Sequence, residues 1–312
     1  MPKLKGTETK YVNGNVSVDK ENADVIYSDK DHIYLGKKDN QKYTSVTQLI
    51  HNYTQPFNSA FWSAYKACEA LLSPEDFYPL KQILLKNKIW KSEYLKTYNI
   101  DIQSFKDKRE EILKSYEDKK NVACERGTSI HEVQENLFYN QDDKIKKYVG
   151  GGKFDVKKGY YQLDLERAVY PEFLISYAFD DYLKVAGQID LIIKDGNDIT
   201  IIDWKTNKKI DQESYFDKTT KRRQMMKFPL DNIQDCNFYH YTLQLSLYAF
   251  LLQKINPKFK IKKLLIIHFD HDGNETEYQC DYLKEDVARM LLHYRRNQKI
   301  KTELDLDKTI VF

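Results

Sequence analysis

The chain passes through three patterns of apolar and polar positions, and their order predicts its architecture. Two short β-prone runs, Val25-Ile26-Tyr27 and His32-Ile33-Tyr34-Leu35, flank Ser28-Asp29-Lys30-Asp31 and read as a small hairpin within residues 25–45. Helical spacing follows over 46–120, with Ser45 placed to cap one helix and Ser73-Pro74-Glu75-Asp76 to open another. From about 121 to 139, Ala123, Ile130, Val133 and Leu137 fall on one narrow helical stripe, with His131 at its edge. Gly150-Gly151-Gly152 breaks that pattern. Residues 162–205 form a series of β-rich runs, and a polar excursion then reaches to about 237. An apolar helix over 239–255, a strand over 262–269, a turn at Asp272-Gly273, a further short strand and a helix over 283–298 complete the order. The expected class is therefore α/β, a central mixed β-sheet flanked by helices, with an N-terminal helical extension. Its expected domains are the hairpin and helical extension over 1–120 and the core over 121–312.

Composition and charge narrow this picture. A chain of 312 residues can bury a sizeable core, and no run of 18 or more apolar residues occurs, so a protein without a membrane partner is expected. Met1–Thr7 lacks an apolar stretch followed by a small-residue cleavage site, which points to the cytoplasm. Cys68, Cys124, Cys236 and Cys280 lie far apart, with no Cys-x-x-Cys pair, and read as reduced, buried thiols with no iron–sulfur cluster. The net charge of +3 is small, but residues 207–230 hold seven Lys and Arg against three acids, a local +4 that leaves the remainder slightly acidic. With Tyr215, Phe216 and Phe228 interspersed, that stretch reads either as a mobile segment gripping phosphate and stacking on bases or as solvated surface.

The candidate chemistry lies in one hairpin. Asp195-Gly196-Asn197-Asp198 between two β-branched runs is a strong turn signal. With the turn centred between Gly196 and Asn197, paired residues have numbers that sum to 393, so Asp190 opposes Asp203 and Gln188 opposes Lys205. Alternation puts Lys205 on the Asp203 face and turns Trp204 to the opposite layer. Two carboxylates at about 5 Å repel by about 3 kcal/mol at an effective dielectric of 20. Either one keeps its proton or a hard cation such as Mg²⁺ or Mn²⁺ sits between them.

Gly187-Gln188-Ile189-Asp190, followed after the turn by Ile202-Asp203-Trp204-Lys205-Thr206, resembles the PD-(D/E)XK nuclease signature in its RecB-type form. Arg126-Gly127-Thr128-Ser129-Ile130-His131 upstream and Gln244-Leu245-Ser246-Leu247-Tyr248 downstream match two further elements in the same order. The likeness is nearest to phage-encoded exonucleases, through Tyr43–Ile50 and Gln55-Pro56-Phe57, which implies the host cytoplasm if the chain is phage-encoded. The resemblance implies a restriction-endonuclease-like core and an Mg²⁺- or Mn²⁺-dependent exonuclease acting on DNA, single-stranded or with free ends, in recombination, repair or end processing. It also implies a recombination or single-strand-binding protein as partner. Asp190 and Asp203 would hold the metal with His131 and the Trp204 carbonyl. Lys205 would orient or activate water, and Glu172 would hold a second metal or position water, or else be a strand-edge charge after Pro171. Gln244, Tyr248, Arg126, Arg222, Arg223 and Lys208 are the expected DNA contacts, with Gln244 and Tyr248 alternatively satisfied inside a buried helix. Gly150-Gly151-Gly152-Lys153 is followed by Phe154, so no phosphate-binding loop exists and no ATP is expected. His268-Phe269-Asp270-His271 reads as part of a hairpin turn at Asp272-Gly273. Two readings from other classes stay open: a non-catalytic DNA-binding recombination factor, and a paired-carboxylate glycoside hydrolase.

Overall fold

The computed structural model of the chain describes residues 4–5, 25–28, 33–140, 142–150, 154–157, 163–218 and 220–309. The N-terminal leader reading, the turn residues Asp29–Asp31 and Gly151-Gly152 lie outside them. Strands β1 (Leu4–Lys5), β2 (Val25–Ser28), β3 (Ile33–Gly36) and β4 (Lys42–Ser45) come first. Helices α1 (Val46–His51), α2 (Ser59–Leu71), α3 (Pro74–Asn87), α4 (Glu93–Thr97), α5 (Ile102–Tyr139) and α6 (Lys146–Val149) follow. The sheet continues through β5 (Asp155–Val156), β6 (Arg167–Asp180), β7 (Leu183–Asp195) and β8 (Asp198–Lys205). Short strands β9 (Phe216–Asp217) and β10 (Arg222–Arg223) lead to α7 (Asn237–Ile255), β11 (Lys260–Phe269), β12 (Glu275–Cys280) and α8 (Lys284–Thr309).

Local signals account for the element boundaries. Ser45 Oγ accepts the Gln48 N–H at 3.1 Å and Ser73 Oγ accepts that of Asp76 at 3.1 Å, so both predicted caps form. Gly196, at φ +60°, turns β7 into β8, and the ladder pairs Asp195 with Asp198. Asp270 closes the β11–β12 turn by accepting the Asp272 and Asn274 N–H groups.

The class expected from patterning is observed, a mixed sheet flanked by helices. Strand β7 pairs antiparallel with β6 and β8, β11 pairs parallel with β8, and β12 returns antiparallel beside β11. The N-terminal strands join this same sheet, because β4 pairs parallel with β7 at Thr44–Val185 and Ser45–Ala186. One edge of β7 is therefore shared between β4 at Ala186 and β8 from Leu191 onward, and Gly187–Asp190 lie in the gap between them. Leu49, Leu243, Leu247, Met290 and Leu291 bury one sheet face beneath α1, α7 and α8. Phe138, Leu191, Ile202, Trp204, Leu265 and Ile267 form a second core that includes the end of α5.

The described chain divides into two compact units, Met1–Gln55 with Thr128–Phe312, and Pro56–Gly127. The second has its own core of Phe61, Tyr65, Cys68, Phe77, Leu80, Leu84 and Phe105, in which Trp90 and Phe105 stack at 5.0 Å. A folding boundary between 120 and 121 stands as a proposal and would pass through α5. Among the described residues no helix is long and apolar enough to cross a membrane. All four cysteines are free, but Cys124 is exposed on α5, contrary to the expectation of four buried thiols; only Cys68, Cys236 and Cys280 are buried.

The excursion after β8, read from composition as a mobile DNA-gripping segment or solvated surface, holds hydrogen bonds centred on Asp235. The buried Asp235 carboxylate accepts from the Gln55 N–H at 2.8 Å, from Gln224 Nε2 at 3.0 Å and from His240 Nε2 at 2.6 Å. Burial opposes the charged form, but these donors, His240 foremost, hold its pKa below the ordinary value. A depressed carboxylate contributes stability above its unfolded pKa and loses it as pH falls through the folded one. Asp235→Ala is expected to cost about 2 kcal/mol at neutral pH by leaving buried donors unmet. Urea titrations of both proteins should show a constant gap from about pH 7 to 5 that narrows below about pH 4. A gap unchanged in acid would rule out the charged form as its source.

Candidate metal centre

The candidate site begins where strand alternation fails. On β6, Ala168 and Tyr170 face the larger core, and so do Phe173 and Ile175; on β7, Ile189 and Ile192 share that face likewise. Each strand thus slips phase by one residue, at Glu172 and Asp190 respectively, while the ladder stays in register through Pro171–Leu191 and Phe173–Ile189. Glu172 takes up the slip with φ +50°, a left-handed conformation that non-glycine residues seldom adopt and that concentrates at functional positions. The slip directs both carboxylates toward one imidazole. His131 Nδ1 lies 3.5 Å from a carboxylate oxygen of Glu172 and 3.5 Å from one of Asp190.

Ligand atoms of His131, Glu172 and Asp190 all fall within 4.8 Å of one another. His131 Nε2 sits 3.2 Å from the Trp204 carbonyl oxygen, and Asp190 accepts the Trp204 N–H at 2.7 Å. One imidazole and two carboxylates, with a backbone carbonyl alongside, are the hard donors that suit a divalent cation. Their electrostatics fit as well. Burial pushes the Asp190 carboxyl up, and neighbouring Glu172 adds to this while His131 opposes it. Burial works against a charged His131, yet Asp190 and Glu172 raise its pKa to about 9. The imidazolium thus supplies counter-charge that a bound cation would replace.

Asp203 stands beside this group, on the sheet face toward α7. Its carboxylate accepts Gln244 Nε2 at 2.9 Å and pairs with the Lys205 ammonium. Burial raises the Asp203 pKa to about 6 against the pull of Lys205. Burial disfavours a charged Lys205, but Asp203 and Asp190 more than offset it and hold its pKa above the ordinary value. The Lys205 ammonium lies 4.6 Å from the Tyr241 ring centroid, a cation–π contact.

The expected register holds from Asp195–Asp198 to Leu191–Ile202 and ends there, so Asp190 and Asp203 do not form the expected ladder pair; Asp190 instead accepts the Trp204 N–H. Gln188 departs from its expected place opposite Lys205. Its side chain donates to the Glu172 carboxylate and, at 3.3 Å, to the Glu172 carbonyl, because the phase slip turns it toward β6. Gln244 and Tyr248 are both buried on α7, and the Tyr248 hydroxyl donates to the Gln188 carbonyl at 2.8 Å. Their polar atoms are therefore engaged within the protein. Trp204 is buried in the core containing Phe138, as alternation requires.

Arg126 is half-buried on α5, Lys208 and Arg222 are exposed, and Arg223 donates to the Ser214 carbonyl at 2.7 Å and pairs with Glu213. Sequence reasoning did not single out Tyr241 or the Gln188–Glu172 contact. The position of Tyr241, three residues before Gln244 on one helix face, was the available signal for the first.

A sequence profile described as the PD-(D/E)XK nuclease superfamily matches residues 89–303, more than half of the chain. The chain belongs to that superfamily. Its members use divalent metals, in keeping with the donor set of His131, Glu172 and Asp190. No curated protein matches the sequence significantly. Among solved structures, SSO0001 is similar at 16% identity and a TM-score of 0.30, over 55% of this chain and 59% of its own length. A Eubacterium rectale protein provisionally described as an exonuclease is similar at 12% identity and a TM-score of 0.32, over 82% of each chain.

Proposed function

We propose that the chain is a divalent-metal-dependent deoxyribonuclease of the RecB type, similar to phage-encoded exonucleases and acting on DNA ends in recombination, repair or end processing. The observation that carries this reading is the convergence of His131, Glu172 and Asp190 beside the Asp203–Lys205 pair. His131, Glu172 and Asp190 would hold Mg²⁺ or Mn²⁺, with Asp203 and the Trp204 carbonyl adjoining. Such a cation, when bound, lowers the pKa of water and neutralises charge on the scissile phosphate.

The chain's own groups supply the rest. Lys205, whose pKa Asp203 and Asp190 hold above the ordinary value, would orient or activate water and stabilise negative charge on the phosphoryl oxygens. Gln244 fixes the Asp203 carboxylate from α7, and Tyr241 supports the Lys205 ammonium from the same helix. Gln188 holds Glu172 in its left-handed position.

The test is incubation with end-labelled single- and double-stranded DNA in Mg²⁺, in Mn²⁺ and in chelator. The expected result is metal-dependent shortening from a terminus. Activity that persists in chelator would overturn the metal-dependent reading, and internal fragments from a circular substrate would overturn the exonuclease assignment.

A further inference from the structure

We infer that the β9–β10 hairpin is a platform for one unpaired DNA strand; this rests on the nuclease reading and narrows its substrate to ends that carry single-stranded DNA. Tyr215 and Phe216 stand consecutively at the hairpin's start and are 64% and 44% exposed. Phe216 opposes Arg223 and Asp217 opposes Arg222, so alternation puts Phe216 on the Arg223 face and Tyr215 on the Arg222 face. The Arg223 guanidinium lies 5.6 Å from the Phe216 ring centroid. Lys218, Lys221 and Arg222 are exposed around the turn, with Asp217 the one acid within the hairpin.

Rings and cations together match a single strand. A base offers a π-face to an exposed ring, its phosphate meets an adjacent cation, and in a duplex that face is covered by its stacked neighbours. Charge complementarity favours the same occupant, since residues 207–230 carry +4 in a chain of net charge +3.

The platform has a firm footing that leads to the metal centre. The Gln224 N–H donates to the Tyr215 carbonyl at 2.9 Å, Arg223 Nη1 to the Ser214 carbonyl, and the Ser214 N–H to Gln234 Oε1 at 3.0 Å. Gln224 also reaches the Asp235 carboxylate. On the incoming side, the Asp211 N–H donates to Asn237 Oδ1 at 2.7 Å, and Asn237 Nδ2 donates to the Lys209 carbonyl at 2.9 Å. Both feet therefore meet at the first turn of α7, one turn before Tyr241, whose ring supports Lys205. The hairpin is thereby tied to the helix whose Tyr241 and Gln244 contact Lys205 and Asp203.

The experiment measures equilibrium binding of the full chain, in chelator so that nothing is cut, to fluorescent oligo-dT, oligo-rU and a blunt duplex of equal length. Oligo-dT is expected to bind most tightly. Tyr215→Ala and Phe216→Ala should each weaken oligo-dT binding roughly tenfold with little effect on the duplex. Arg222→Ala should weaken every probe and flatten the salt dependence for a single strand by about 0.7. Circular dichroism melts of each variant establish that it is folded. Equal loss on strand and duplex, or indifference of oligo-dT binding to both rings, would overturn the platform, and preference for oligo-rU would overturn its assignment to DNA. Should the rings matter while no metal-dependent cleavage occurs, the platform stands and the nuclease reading falls; the reverse pattern discards the platform alone.

Discussion

Replacing Lys205 with Met is expected to slow single-turnover DNA cleavage by about a thousandfold while divalent-cation binding persists. Methionine keeps an unbranched side chain of similar length and removes only the ammonium that lies over Tyr241, so the loss is assigned to the charge that the 205 position brings to the phosphoryl oxygens. Lys205→Met and Lys205→Ala both leave the buried Asp203 carboxylate without its ion-pair partner, a change that typically costs about 3 kcal/mol or more, and Lys205→Ala removes the stem as well. Both melting temperatures should therefore fall, that of Lys205→Ala further by the loss of the stem's packing. Asp190→Asn is expected to abolish activity by a different route. It retains an acceptor for the Trp204 N–H but withdraws a carboxylate from the His131–Glu172 group, so calorimetric Mn²⁺ binding should weaken along with cleavage. Lys205→Met cleaving within tenfold of the unaltered protein would remove Lys205 from the chemistry.

The division between what the sequence shows and what it hides runs through these same residues. Asp195-Gly196-Asn197-Asp198 encodes its turn locally, so the register of β7 with β8, and with it the closeness of Asp190 to the Asp203 strand, could be read from spacing alone. His131 could be placed on a helix by its stripe, and Gln244 and Tyr248 on one helix face by their separation. The phase slip could not be read. Strict alternation puts Gln188 opposite Lys205, whereas the left-handed Glu172 turns it to β6, and nothing in Tyr170-Pro171-Glu172-Phe173 specifies a positive φ for Glu172. Long-range pairing was equally hidden. That β4 joins β7 in parallel depends on contacts across the chain, while the local pattern of residues 25–45 indicates only a hairpin. Composition could show the charge of the excursion but not the Asp235 hydrogen bonds that tie its end to Gln55, Gln224 and His240, since the first of these joins residues far apart in the chain.

Gly187→Ala is expected to destabilise the protein by about 2 kcal/mol, although the change adds a single methyl group. Gly187 lies in the gap on β7 where neither β4 nor β8 pairs, and α7 fills that gap with the Tyr248 ring. A Cβ there would stand 2.7 Å from Tyr248 Cε1, 3.0 Å from its hydroxyl and 3.2 Å from Val46 Cγ2. The ring is buried and its hydroxyl is held by the Gln188 carbonyl, so it yields only by giving up that hydrogen bond. Gln188 in turn holds Glu172, so the strain should reach the metal centre, and Mn²⁺ affinity should fall together with the melting temperature. Tyr248→Leu alone costs the hydroxyl's hydrogen bond and leaves a partial cavity. The double variant Gly187→Ala, Tyr248→Leu should cost less than the two single changes added together, because the smaller side chain vacates the space the new methyl needs. Denaturant titration of the four proteins measures that coupling. Strict additivity would show that the close approach of Tyr248 is not the reason a glycine stands three residues before Asp190.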